Sequence, residues 1–181
     1  MMTNGDQLIG KWALLDTNIL IKGAEQAKDS EGSVFRHTLE YLKNRNATPY
    51  LTDITYFEFI SFCRSKKEQD SLKSLINKFP IIATKREDIE EAALVSSYYR
   101  KLDPELNKRQ ISYCDCINAA QITKFNGRVF LMTTDIYDYP TSLFDIEHVV
   151  PISGKKRAEL VACITYNKQK FDVAKESFSK S

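Results

Sequence analysis

Histidine is scarce in this 181-residue sequence, where His37 and His148 are the two present. His37 falls on a helix of mixed polarity and His148 just before a strand, so both read as ordinary structural or surface residues. Cysteine is thin as well. Cys63, Cys114, Cys116 and Cys163 form no CxxC pair, and no histidine stands at zinc-ligand spacing from them. A structural zinc site is thereby excluded, and buried reduced thiols in a cytoplasmic protein are expected. The N-terminus lacks a basic segment followed by a long apolar stretch, so no secretion signal is expected. No run of about 18 apolar residues occurs, so no membrane span is expected either. Internal repeats, low-complexity tracts and a convincing linker are also missing.

What is present is ordinary in bulk: 43% hydrophobic and 28% charged residues. The length suits one domain with a sizeable core. Charge is distributed unevenly. From Lys155 onward there are seven Lys and Arg against three Asp and Glu, while the rest holds 19 against 21. A basic tail on a mildly acidic body suits either a nucleic-acid binder or a solvated helix.

Strand and helix signals alternate along the chain. Trp12 to Leu15 is a short apolar run ending at Asp16 and reads as a buried parallel strand. The polar stretch Ala24 to Ser33 reads as a loop, and Phe35, Leu39 and Leu42 are spaced for one helix face. Pro49 to Leu51 reads as a strand, and Thr52 caps a helix or helix pair running to about Phe79. Ile81 to Ala83 is a further strand. Glu87 to Leu102 is helical and ends before Pro104. Ser112 opens a helix that Gly127 closes. Val129 to Met132 and Glu147 to Ile152 are strands, and a last helix is expected over Lys156 to Phe171. Repeated β-then-α segments predict an α/β fold with a mainly parallel sheet and helices on both faces. Ligands of such sheets sit beyond the carboxyl ends of the strands.

That rule draws attention to four acids. Asp16 follows the first strand, and Asp135 follows Val129 to Met132. Asp115 lies in the first turn after Ser112, and Glu58 in the second turn of the helix that Thr52 starts. Each also has a plain structural reading. Asp16 suits a turn or cap, Ser112 with Asp115 resembles a capping box, and Asp135 suits an N-cap. Glu58 is harder to explain this way, since Tyr56-Phe57-Glu58-Phe59-Ile60 sets it in an apolar run where a lone buried carboxylate is costly. Two carboxylates about 4 Å apart repel by roughly 4 kcal/mol at an effective dielectric of about 20. Four converging acids therefore call for a cation, and all-oxygen ligation selects Mg²⁺ or Mn²⁺.

Four segments carry these acids: Ala13 to Leu20 with Asp16-Thr17-Asn18, Thr52 to Phe59, Asp115 to Ala120, and Leu131 to Tyr139 with Thr134-Asp135. In this order they resemble the acidic motifs of the PIN domain family, and within it the VapC-like toxins. The resemblance spans Trp12 to about Tyr139. It implies a three-layer α/β/α sandwich with activity as a divalent-metal-dependent endoribonuclease. It also implies that Asp16, Glu58, Asp115 and Asp135 are catalytic metal ligands for Mg²⁺ or Mn²⁺. Asn18 and Thr134 match polar positions that support the metal shell, and Asp138 matches a second, more variable acid. Residues 1–152 then form the PIN-like domain and 153–181 a basic C-terminal helical extension of it. RNA, a protein antitoxin and a second copy in a homodimer are the partners implied. The chain is longer than a typical VapC toxin, and the segments Ala24 to Ser33 and beyond Pro151 look like additions.

Alternatives differ in what they need. A metal-free ribonuclease needs a histidine pair, which two isolated histidines do not supply. A phosphatase with an aspartyl nucleophile usually carries Asp two residues later, where this chain has Asn18. A PIN domain of RNA processing outside toxin–antitoxin systems, or a non-catalytic RNA-binding module, would share the fold. Lys155, Lys156 and Arg157, with Lys168 and Lys170, are candidates to track an RNA backbone or simply to solvate the surface. Tyr98, Tyr99 and Tyr113 are candidates for base stacking, with packing as the plainer role.

Overall fold

A computed structural model describes residues 8–26, 34–102, 111–153 and 158–180. Strands β1 (Trp12–Leu15), β2 (Thr48–Thr52), β3 (Ile81–Ile82), β4 (Val129–Thr133), β5 (Phe144–Ser153) and β6 (Ala158–Tyr166) form one sheet in the order β3-β2-β1-β4-β6-β5. The first four strands in that order run parallel, and β6 pairs antiparallel with both β4 and β5. Helices α1 (Thr17–Gln26), α2 (Val34–Asn44), α3 (Asp53–Ser61), α4 (Lys66–Ile76), α5 (Arg86–Leu102), α6 (Tyr113–Lys124) and α7 (Lys168–Ser179) complete the described fold.

The alternation of side chains along the strands builds two cores. Ala13 and Leu15 of β1, Phe130 and Met132 of β4, and Val161 and Cys163 of β6 pack with Ile19, Leu20, Leu42, Phe59 and Ile76 from α1 to α4. Their strand neighbours Leu14, Val129, Leu131, Ala162 and Ile164 pack with Val95, Tyr99, Ala119, Ile122, Phe171 and Ala174 from α5 to α7. The result is the three-layer α/β/α sandwich with a mainly parallel sheet. Central strands buried on both faces explain the unbroken apolar runs of β1 and β4.

Local chemistry sets the element ends. Thr52 accepts the Thr55 N–H at 3.0 Å to start α3, and Ser65 accepts that of Glu68 at 3.2 Å to start α4. The segment up to Phe79 is therefore a helix pair. Asn126 and Gly127, both at positive φ (43° and 81°), turn the chain from α6 into β4.

Two expectations are corrected. Residues 158–166 are strand rather than helix, and the last helix starts only after Asn167, whose side chain accepts the Lys170 N–H at 3.1 Å. Val161-Ala162-Cys163-Ile164 is apolar throughout because β6 sits inside the sheet, with neighbours on both sides. The expected loop from Ala24 begins inside α1, which runs directly from Thr17 to Gln26, and the remainder of that loop lies outside the described residues.

Candidate functional site

Asp16 leaves the carboxyl end of β1, and its N–H donates to the Met132 carbonyl at 3.1 Å, which fastens it to the end of β4. Its carboxylate is buried, at 6% exposure. Oδ2 accepts from the Thr133 hydroxyl at 2.6 Å and from Asn18 Nδ2 at 2.8 Å. The Thr133 hydroxyl in turn accepts from Asn18 Nδ2 at 2.9 Å and from the Asp135 N–H at 3.0 Å. Asn18 Oδ1 accepts the Thr134 N–H at 3.1 Å. Asn18 thus ties the Asp16 carboxylate to the end of β4. The hydroxyl that meets Asp16 belongs to Thr133, while Thr134 meets Asn18 through its backbone N–H. Thr133 is fully buried as the last residue of β4, one position beyond the end of the strand expected from the sequence, so no sequence signal marked it.

Glu58 arrives on α3 and accepts the Thr17 hydroxyl at 2.5 Å through Oε2. Asp115 sits one turn into α6. The N-cap Ser112 accepts the Asp115 N–H at 3.1 Å and donates its hydroxyl to Asp115 Oδ2 at 2.6 Å, so the capping box and the acidic site are one construction. Tyr139, buried to 1%, points its phenol at Asp115 Oδ1 from 3.5 Å. Asp135 accepts the Tyr137 N–H at 3.2 Å and so caps a single 3₁₀ turn, Ile136–Asp138. Asp138 closes that turn.

Electrostatics joins these acids. Burial pushes the Asp16 carboxyl up to about 7, with the charges of Asp115 and Glu58 adding to it and the Thr133 hydrogen bond opposing it. Asp115 is raised by burial too, and by the charges of Glu58 and Asp135. The Cys114 thiol is held far above its usual range by burial, then by its hydrogen bond to Glu58 and by the charges of Glu58, Asp115 and Asp16. Asp16, Glu58, Asp115 and Asp135 therefore share one electrostatic neighbourhood at the strand ends. The donors are all oxygen, which fits a hard divalent cation. Among the described residues, no three His, Cys, Asp or Glu side chains are drawn together tightly enough to hold an ion in this conformation.

Other candidates fall elsewhere. Lys155, Lys156 and Arg157 lie outside the described residues. Lys168 pairs with Asp172 at 2.6 Å. Lys170 is engaged by Asp145 at 2.6 Å and by the carbonyls of Thr141 and Phe144 at 2.7 and 3.0 Å, which staples α7 to the start of β5. Tyr98 and Tyr99 are buried in the core, whereas Tyr113 is 52% exposed. His148 stacks on Tyr41 with ring centroids 6.0 Å apart. Cys116 and Cys163 are buried, while Cys63 and Cys114 are partly exposed, so the expectation of four buried thiols holds for two. No described helix is long and apolar enough to cross a membrane.

Fold and site together define an α/β/α protein with an acidic site beyond the carboxyl ends of its parallel strands. The family model of the PIN domain matches residues 13–138. That is more than half the chain and includes all four acids, so the chain belongs to the PIN domain family. Among solved structures, it resembles a toxin–antitoxin complex from Klebsiella pneumoniae at 19% identity and a TM-score of 0.51, covering 71% of this chain and 91% of that one. VapBC2 from Rickettsia felis, bound to a DNA fragment from their promoter, matches at 22% identity and a TM-score of 0.48, covering 71% and 90%. No curated protein is significantly similar to the chain.

Proposed function

We propose that this PIN domain is a divalent-metal-dependent endoribonuclease that hydrolyses RNA phosphodiesters, and that it acts as the VapC-like toxin of a toxin–antitoxin pair. The observation that carries the nuclease reading is Asp16: a buried carboxylate at the junction of β1 and β4, raised to about 7 in company with Asp115 and Glu58. A carboxylate buried beside other acids costs the fold stability unless a cation neutralises it. Asp16, Asp115 and Asp135 would hold the principal Mg²⁺ or Mn²⁺, and Glu58 would complete the shell. A bound ion would supply an activated water and charge stabilisation at the phosphodiester under attack.

The protein's own part is positioning. Thr133 and Asn18 fix the Asp16 carboxylate, Ser112 fixes Asp115, and Thr17 fixes Glu58. These short bonds set the direction of the oxygens before any ligand arrives, which lowers the reorganisation needed in the reaction. The burial of Asp16 keeps bulk water from screening the charges.

The toxin role and the antitoxin partner rest on the motif resemblance and on the likeness in fold to a structure described as a toxin–antitoxin complex. Co-purification with the product of a small neighbouring reading frame would test the pairing, and its absence would favour an RNA-processing nuclease.

Cleavage of a structured RNA with Mg²⁺ or Mn²⁺ tests the activity. Wild type should cleave, EDTA should abolish cleavage, and Asp16→Asn should lose at least about 100-fold of the rate, as expected when a metal-positioning charge is removed. Equal cleavage by Asp16→Asn would remove this site from the chemistry.

A further inference from the structure

The hydroxyls of Thr133, Ser112 and Thr17 fix the acids in the function proposed above. A fourth hydroxyl at the same edge, the phenol of Tyr139, takes no part in it. The Tyr139 ring is 1% exposed and meets the Phe144 ring edge-on, with centroids 5.9 Å apart. A phenylalanine would fill that space as well. What the hydroxyl adds is a hydrogen bond to Asp115 Oδ1 at 3.5 Å.

Asp115 is otherwise held from within its own turn of α6, where Ser112 donates to Oδ2 at 2.6 Å. Among the described residues, the Tyr139 phenol is the one hydrogen-bond donor that reaches the Asp115 side chain from another element. Tyr139 is itself anchored to the turn that Asp135 caps. Its N–H donates to the Ile136 carbonyl at 3.2 Å, and Asp135 Oδ1 accepts the Tyr137 N–H at 3.2 Å. One side chain therefore joins Asp115 on α6 to the turn that carries Asp135 after β4.

Tyr99 provides a contrast within the same core cluster. It is also 1% exposed and also meets Phe144 edge-on, with centroids 6.4 Å apart. Its hydroxyl is buried with no hydrogen-bond partner among the described residues. Two phenols thus share one aromatic cluster, and one of them is bonded to an acid of the site.

We propose that Tyr139 is a positioning residue, whose phenol orients the Asp115 carboxylate for a divalent cation shared with Asp16 and Asp135. A buried phenol cut off from water keeps the partner it has, because leaving that group unpaired is costly. The bond is long without a ligand, as contacts to catalytic groups commonly are. A donor behind a metal ligand fixes the ligand's direction, and its loss typically weakens metal binding by roughly 10- to 100-fold. The inference rests on the reading of the acidic edge as a metal centre and adds a residue that sets its geometry.

Mn²⁺ binding to the full chain without RNA, followed by calorimetry, tests the role apart from cleavage. Tyr139→Phe keeps the ring and removes the hydroxyl alone, and it should weaken Mn²⁺ binding about tenfold or more. Tyr99→Phe makes the same deletion in the same cluster and should bind Mn²⁺ like wild type. Mn²⁺ should also raise the melting temperature of Tyr99→Phe as much as that of wild type, and that of Tyr139→Phe less. Wild-type Mn²⁺ affinity in Tyr139→Phe overturns the inference, even if that variant melts earlier in EDTA. Equal losses in the two variants also overturn it, since they would mark a general loosening of the core. A loss confined to Tyr139→Phe upholds the positioning role even where wild type cleaves no RNA, and the endoribonuclease reading then fails alone. RNA cleavage by wild type with equal Mn²⁺ affinities removes the positioning role and leaves the nuclease. No Mn²⁺ binding by wild type overturns the inference together with the metal centre.

Discussion

At the scale of single residues, Asp16 carries the most consequence. Its carboxyl titrates at about 7 rather than 3.8 because burial and the charges of Asp115 and Glu58 disfavour the ionised form. A folded-state value above the unfolded one means that the folded protein holds the proton more tightly. The stability from this proton is complete below the unfolded value and is lost as pH rises through the folded one, at no more than about 1.4 kcal/mol per pH unit. In EDTA, the melting temperature of the wild type should therefore fall between about pH 4 and about pH 7 and level off above that. Asp16→Asn should flatten that fall, and Mg²⁺ should offset it at the upper end. Parallel slopes for wild type and Asp16→Asn would show that Asp16 is not the group responsible. The sequence singled out Asp16, Asn18 and Thr134, and the structure adds Thr133, whose hydroxyl donates to Asp16, while Thr134 meets Asn18 through its backbone. Neighbouring threonines at a strand end look alike until the strand's facing is known, since successive side chains point to opposite sides.

Helices α3 and α6 bring Glu58 and Asp115 to the same edge, and a buried polar seam joins them. The hydroxyls of Thr52 and Thr55 lie 3.2 and 3.4 Å from Asn118 Oδ1, and all three residues are fully buried. Asn118 stands one turn beyond Asp115 on α6, so it ties the Asp115 helix to the N-terminus of the Glu58 helix. Asn118→Ala should cost about 2 kcal/mol in chemical denaturation, because it removes a buried acceptor and leaves the Thr55 hydroxyl proton without one, while Thr52 keeps its bonds to Thr55. Unchanged stability would mean that the seam does not hold the helices together. At this scale the sequence was read well where caps and apolar spacing agree, as with Thr52 at α3 and Ser112 at α6. It was misread over residues 158–166, where a continuous apolar run of strand length follows a basic stretch. An apolar run without alternation suits a buried helix as well as a buried strand, and only its neighbours decide.

At the scale of the whole molecule, the described residues after Ser153 take part in the sheet. The family match ends at residue 138, yet β6 lies between β4 and β5 and completes the sheet. Val161, Ala162, Cys163 and Ile164 are all fully buried, and burial of a large apolar side chain contributes on the order of 1–3 kcal/mol. A chain ending after Ser153 would expose the flank of β4 and leave β5 with no strand to pair with. Such a truncation should be insoluble or lack a cooperative thermal transition by circular dichroism. A soluble, cooperatively melting 1–153 fragment would show that the last strand and helix are dispensable.

By itself, the sequence determined the class of fold and which acids follow the strand ends. Strand-then-helix alternation dictates a parallel sheet, and an acid placed directly after a strand is carried to the sheet's carboxyl edge by local geometry alone. The tertiary structure decided which groups hold those acids and where the last strand goes. Thr133 meets Asp16 across 117 residues, Glu58 meets Thr17 across 41, and β6 finds β4 across the whole β5 strand. Periodicity records how deeply a residue is buried, whereas pairing between distant segments is settled by the packing of the complete chain, which no local pattern encodes.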